Sequence, residues 1–389
     1  MTDKKIYLDH AATTAVRKEV LDVMLPFFTE HFGNPMSVHS FGRDVSKYVE
    51  RARESIADNL GAEPKEIFFT GGGTEADNWA LRGYALANAN KGRHIITSSI
   101  EHHAVLHTCE YLEKEGFEVT YLPVDSEGFV DPQELEKAIR PDTILVSIMH
   151  ANNEIGTIQP IAELGSICRD KKIAFHVDAV QSTGVLPINL AELPVDMLSL
   201  SGHKFYGPKG IGALYVKKGI RLKPIIFGGG QERGLRAGTH NHVGIIGMAK
   251  ALELAVAEQK DYVAKLTKLR DSLIDGLINN IPQIRLNGPY GEKRLPGNVN
   301  VSIQYIEGEG MLLHLDMLGI AASSGSACTS GSLDPSHVLL AIGLSHEIAH
   351  GSLRLSLGRE NTEEDINQVL DVLPKIVANL RAMSPLYHG

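Results

Sequence analysis

AFHVDAVQSTGVLPINLAELPVDMLSLSGHKFYGPKG, residues 174–210, holds two apolar runs, AFHVDA and DMLSLS, each ending at polar residues and a turn. Runs that are apolar throughout, without in-out alternation, mark strands covered on both faces, and such strands belong to largely parallel sheets. Working outward, EIFFT (66–70), HIITSS (94–99), EVTYLPV (118–124), TILVSIMH (143–150) and GALYV (212–216) read the same way, with helical patterns between them. Seven strands then form one mostly parallel α/β sheet flanked by helices. Residues 44–60 place Val45, Val49, Ala52, Ile56 and Leu60 on one helical stripe that must pack on a core. Beyond a Gly-rich connector, FGGGQERGLRAGT (227–239), a long helical stretch runs from about 243 to 280 with a boundary near its middle. NVNVSI (298–303), EGEGMLLHLDML (307–318) and an amphipathic segment at 363–382 predict a smaller α+β domain. The expected division is 15–260 for a large domain, with 1–14 plus 261–389 forming the small one.

Composition narrows the function classes. The chain of 389 residues carries 38 Lys plus Arg against 47 Asp plus Glu, a net charge of −9. That balance argues against a sequence-independent grip on nucleic acid or on an anionic membrane surface. No apolar run approaches the ~20 residues that span a bilayer, and MTDKKIYLDH has no signal-like apolar core, so a cytoplasmic protein is expected. Cys109, Cys168 and Cys328 lie far apart without a C-x-x-C pair, which favours neither a disulfide framework nor a thiolate zinc site.

In doubly wound sheets ligands sit beyond the carboxyl ends of the strands, so the chemistry is sought there. After EIFFT comes GGGTEADN (71–78), where three glycines admit a close ligand and Thr74 is placed to cap the next helix, with Asp77 in its first turn. This reads as an anion cup, although neither nucleotide-binding glycine pattern is present. Asp178 ends an apolar strand with Gln181 three residues on, and Ser201, Gly202, His203 and Lys204 follow the next strand. A lone lysine is ordinarily a solvated surface residue, but a buried amine loses affinity for its proton and becomes nucleophilic toward an aldehyde. Lys204 to bond an aldehyde, Asp178 to pair a protonated ring nitrogen, and Gly73, Thr74, Ser201 and His203 to hold a phosphate are together the parts of a pyridoxal phosphate site.

EHHAVLH (101–107) puts His102 after a strand, and His103 and His107 at helical spacing. No third ligand stands nearby, so a metal pair is the weaker reading and a site role for His102 the stronger. SSGSACTSGS (323–332) sets Cys328 among small polar residues and makes it the best nucleophile candidate, whereas Cys109 and Cys168 lie in helical patterns as inert core thiols. Arg354, within the apolar run GSLRLSLGR, calls for a bidentate carboxylate partner.

YLDHAATT, GNPMSVHSFGR, TGGGTEADN, EHHAVL, MHANNEIG, HVDAVQS, SGHKFYGPKGIG, GGGQERGLRAGT, SSGSACTS and SLRLSLGR follow one another along nearly the whole chain. In that order they resemble the cysteine desulfurases, NifS- and IscS-like members of the class-V aminotransferase superfamily of fold-type I pyridoxal phosphate enzymes. The resemblance implies that Lys204 bonds the cofactor, Asp178 pairs its ring nitrogen, Asn153 and Gln181 contact its hydroxyl side, and His102 stacks on it and handles protons. It implies that Gly73, Thr74, Ser201 and His203 bind the phosphate, and that Thr239 reaches the phosphate of the neighbouring subunit in a homodimer. It also implies that Arg354 with Asn153 holds the carboxylate of L-cysteine. Cys328 would take the substrate sulfur as a persulfide and deliver it to an acceptor or iron–sulfur scaffold protein, with transient iron–sulfur contact as its only metal chemistry. Help from His102 in forming the Cys328 thiolate is expected. A selenocysteine lyase, another β-lyase or an aminotransferase on the same fold would not need Cys328. A non-enzymatic sulfur-trafficking protein would not need Lys204 with Asp178.

Overall fold

The computed structural model describes residues 5–324, 335–385 and 387. Its centre is a seven-stranded sheet ordered Ile67–Thr70, Gly212–Val216, Met197–Ser201, Ala174–Asp178, Thr143–Ser147, His94–Ser98, Glu118–Leu122. Only Gly212–Val216 runs against the rest, pairing antiparallel with both neighbours. Six of the strands are buried along their whole length, as their apolar runs predict. Glu118–Leu122, one of the sheet's two edge strands, differs: it is buried only at Leu122.

Alternation along each strand feeds two cores. Ile96, Val146, Phe175, Val177 and Leu198 face one, while Ile95, Leu145, Ala174 and Met197 face the other. Helix Ser40–Leu60 closes the first with the predicted stripe, Val45, Val49, Ala52, Ile56 and Leu60 all buried. The expected long helix is two, His242–Ala257 and Gln259–Asn280, broken at Glu258. There Glu258 pairs with Arg17 at 2.9 Å and also with Arg359, tying three chain segments to the break.

The second sheet is antiparallel and three-stranded, Ile284–Leu286, Asn298–Ile303 and Ser352–Ser356. Helices Gln259–Asn280 and Glu363–Met383 cover it around a separate apolar cluster that includes Val299, Val301, Leu353 and Leu355. The chain's beginning belongs here too: Ile6–Tyr7 pairs with Ile320–Ala321, and Ile6 and Leu8 are buried in this cluster. From there residues 9–14 cross to the carboxyl ends of the large sheet. No described helix is long and apolar enough to cross a membrane.

Candidate active site

The cup forms where strand Ile67–Thr70 ends. Gly72 has φ +151°, a conformation side chains rarely adopt, and it occupies the N-cap of the short helix Gly73–Asn78. Thr74 is therefore inside the helix and does not cap it, contrary to the sequence expectation. A Cβ on Gly73 would stand 2.7 Å from Val180 Cγ2 and 3.4 Å from Ser201 Cβ, so only glycine lets three strand ends converge. Gly73, Thr74, Ser201 and His203 line one open cleft of about 770 Å³, joined by Thr13 and Lys209. Burial, with Lys204 and Lys209 nearby, pushes the His203 imidazole down to about 4, and its Nδ1 lies 3.0 Å from Thr13 Oγ1.

Beside the cup, Lys204 closes the turn Gly202–Lys204 that follows strand Met197–Ser201. Lys204, Asn153 and Gln181 line a narrower cleft with His10 and Ala11. The Lys204 amine donates to the main-chain carbonyls of Ala11 (2.6 Å) and Ala12 (2.8 Å), and Gln181 Nε2 donates to Ala11 as well (2.9 Å). Asp178 ends the adjacent strand, 5% exposed, with Oδ1 accepting from the Val180 amide at 2.9 Å. Burial raises its carboxyl to about 6, against the pull of that amide and of the Lys204 charge. Asp77, read from the sequence into the first turn of the helix Gly73–Asn78, lies past that turn, where Glu75 is the acid, and is buried with its Oδ1 3.7 Å from His176 Nε2.

Arg354 lies mid-strand in the smaller sheet, 3% exposed. Nη2 donates to Asp9 Oδ1 at 3.0 Å and Nη1 to the Asn153 carbonyl at 3.2 Å, while Nε finds no partner among the described residues. The expected bidentate carboxylate is thus a single contact, and part of the guanidinium remains unsatisfied. His102 caps helix His103–Lys114, its Nδ1 accepting from the Ala104 amide at 3.1 Å. His103 and His107 stack at 4.8 Å, but the described residues hold no group of three or more ligands suited to a metal ion. Cys109 and Cys168 are buried in helices, burial pushing the Cys168 thiol up to about 12. Cys328 lies outside the described residues.

Thr239 is exposed and lines no part of its own chain's cup. The sequence reading missed the crossing segment: Asp9, Ala11, Ala12 and Thr13 supply contacts to Arg354, Lys204 and His203. The quoted YLDHAATT was its signal, but a polar-small run does not reveal that its carbonyls face a lysine.

These residues fit pyridoxal phosphate. The glycine cradle and the lysine–histidine surroundings suit a phosphate, the buried Asp178 suits a cationic ring nitrogen, and Lys204 is close enough to feel the Asp178 charge.

The aminotransferase class-V family pattern matches residues 6–369. A cysteine desulfurase IscS of Clostridium botulinum (strain Hall) is 59% identical over 386 residues, spanning 99% of this chain and 97% of that one. One of Methanosarcina thermophila is 60% identical over 384 residues, 99% and 95% of the two chains. Among solved structures, a NifS-like protein superposes with a TM-score of 0.91 at 44% identity, covering 97% of this chain and 100% of that one. SspA in complex with cysteine does so with a TM-score of 0.80 at 40% identity, 92% and 100% covered. The chain belongs to the class-V aminotransferase family and, within it, to the cysteine desulfurases.

Proposed function

We propose that the protein removes the sulfur of L-cysteine, leaves L-alanine, and carries the sulfur as a persulfide on Cys328 for delivery to an acceptor. The observation that carries this reading is the meeting of the Lys204 amine, the buried Asp178 and the Gly73 cup at neighbouring strand ends. The bound pyridoxal phosphate supplies an electron sink for the bonds broken at the substrate. Asp178, desolvated and anchored by the Val180 amide, would hold a proton on the cofactor's ring nitrogen. Lys204 would hold the cofactor through its Nζ and serve as the base for the substrate α-proton, with the Ala11 and Ala12 carbonyls orienting that Nζ. Arg354, with one nitrogen unsatisfied and its backbone-carbonyl contact on Asn153, receives the substrate carboxylate. The Cys328 thiolate attacks the substrate sulfur, the carbon–sulfur bond breaks with its electron pair left on carbon, and two protons, the one Lys204 took returned to the α-carbon and another delivered to the β-carbon, complete alanine.

The homodimer reading is supported by an exposed apolar surface near the chain's start. Leu25, Phe28, Phe32, Met36 and Phe41 are all more than half exposed, and Phe32 and Phe41 pack at 5.7 Å. Such a patch on a soluble chain marks a contact surface. A second copy would cover it and bring Thr239 to the neighbouring cup. Delivery to an iron–sulfur scaffold, with the persulfide touching iron only in transit, and a cytoplasmic setting complete the proposal. The division into 15–260 and 1–14 plus 261–389 is supported by the separate apolar cluster that Ile6 and Leu8 share with residues beyond 266.

Cys328→Ala decides the chemistry. It is expected to keep the visible absorption of the bound cofactor and to lose alanine formation from cysteine by at least about a hundredfold. Undiminished alanine formation would favour a lyase or transaminase on this scaffold.

A further inference from the structure

His102 stands between two roles that imidazole can play, and its hydrogen bond distinguishes them. Its backbone (φ −64°, ψ 149°) is that of a helix N-cap, and Nδ1 accepts the amide of Ala104 at 3.1 Å. An amide N–H can only donate, so Nδ1 carries the lone pair and a neutral ring has its hydrogen on Nε2. Moving that hydrogen to Nδ1 would set two donors against each other and forfeit the cap.

The turn that delivers the ring is fixed on three sides. The Glu101 carboxyl, 1% exposed, accepts from Ser98 Oγ at 2.5 Å and from the Met149 amide at 3.0 Å. Asn152 Nδ2 donates to the Ile100 carbonyl at 2.9 Å, and the Glu101 carbonyl accepts from His337 Nε2 at 3.0 Å. The charged or titratable groups acting on the ring are Lys204, His103, His337 and His107, all cationic when protonated. With burial, they hold the imidazole down to about 4.

We infer that His102 serves the site as a neutral hydrogen-bond donor through Nε2–H, in one fixed tautomer, and that Glu101 is the residue that positions it. This rests on the proposed function only in placing His102 against the cofactor. It revises the expectation that His102 handles protons and helps form the Cys328 thiolate. A ring whose one lone pair is engaged by a backbone amide has none to offer a substrate C–H or a thiol. Proton removal at the α-carbon then belongs to Lys204 alone, while His102 contributes a donor of fixed direction, a use of neutral imidazole that stabilises developing negative charge.

The test is 15N NMR of the full-length protein labelled at histidine, with and without pyridoxal phosphate, from pH 5.5 to 8.5. His102 is expected to show a pyridine-like Nδ1 and a pyrrole-like Nε2 that do not titrate. A Nδ1–H tautomer, or an imidazolium forming in that range, would overturn the inference. His102→Gln keeps a donor at the same reach but cannot take up a proton. It is expected to lose about tenfold in kcat/KM with an unshifted pH profile, against about a hundredfold for His102→Ala. Equal losses in the two variants would assign His102 the proton-accepting role instead. Glu101→Ala is expected to mix the His102 tautomers while Glu101→Gln keeps one, and identical spectra for all three proteins would remove Glu101 from the account. If the unmodified protein forms no alanine from cysteine, the proposed function fails while the tautomer result stands by itself.

Discussion

The two ends of the site satisfy their polar groups in opposite ways. At the large sheet, the cup of Gly73, Thr74, Ser201 and His203 is an open cleft whose shape depends on a glycine at the crossing of three strand ends. At the small sheet, Arg354 is buried and already engaged by Asp9 and the Asn153 carbonyl, with Nε the part left over. Under the proposed function the first would take a resident group that fills it and the second a visitor, a substrate carboxylate joining a cation whose charge is already partly balanced, which would permit release after each turnover.

Three substitutions probe that contrast. The largest effect is expected from Gly73→Val, whose branched side chain has no room beside Val180 and Ser201. It should weaken retention of pyridoxal phosphate by about a hundredfold or more, read by dialysis and visible absorption, with near-native circular dichroism. Retention of the cofactor would show that the cup is not the phosphate site. Arg354→Lys keeps the charge but removes the planar fork, so KM for cysteine should rise about tenfold with kcat changed far less. Proportional loss in kcat would place Arg354 in the chemical step. Asp9→Asn leaves the buried guanidinium without its counter-charge, which should lower the melting temperature and reduce KM severalfold, because the substrate carboxylate becomes the main counter-charge. A raised KM would mean that Asp9 orients Arg354 and does not compete for it.

The smallest effect is on stability. Burial raises the Glu101 carboxyl to about 8, whereas in the unfolded chain it titrates near 4.3. Between those values the unfolded chain gives up the proton and the folded one keeps it, so this group's contribution to stability falls as pH rises from about 4 to 8. Glu101→Gln cannot titrate. Its melting temperature in the cofactor-free protein should match the parent's near pH 5 and exceed it near pH 8, and a constant difference across that range would refute the assignment.

What the sequence revealed follows from how local each signal is. The stripe from Val45 to Leu60 and six fully buried strands are periodicities along the chain, and they reappear as helix Ser40–Leu60 and the interior of the large sheet. Lys204 and Asp178 were legible because polar residues at the ends of apolar runs stand out. The exposure of Glu118 and Tyr121 was passed over within a longer apolar run, since what covers a strand is a property of the assembled fold. Asp77 and Glu101 were not legible as buried acids because their burial comes from strands distant in sequence. The carbonyls of Ala11 and Ala12 have no side-chain signature at all, yet they hold the lysine. For Thr74 the pattern misled, since Gly72 with its positive φ took the cap.

The account rests most directly on Lys204. Incubating the protein with pyridoxal phosphate, reducing with borohydride and sequencing the peptides by mass spectrometry should find the pyridoxyl group on Lys204, and Lys204→Ala should carry none and form no alanine from cysteine. A pyridoxyl group on another lysine, or unimpaired alanine formation by Lys204→Ala, would contradict it.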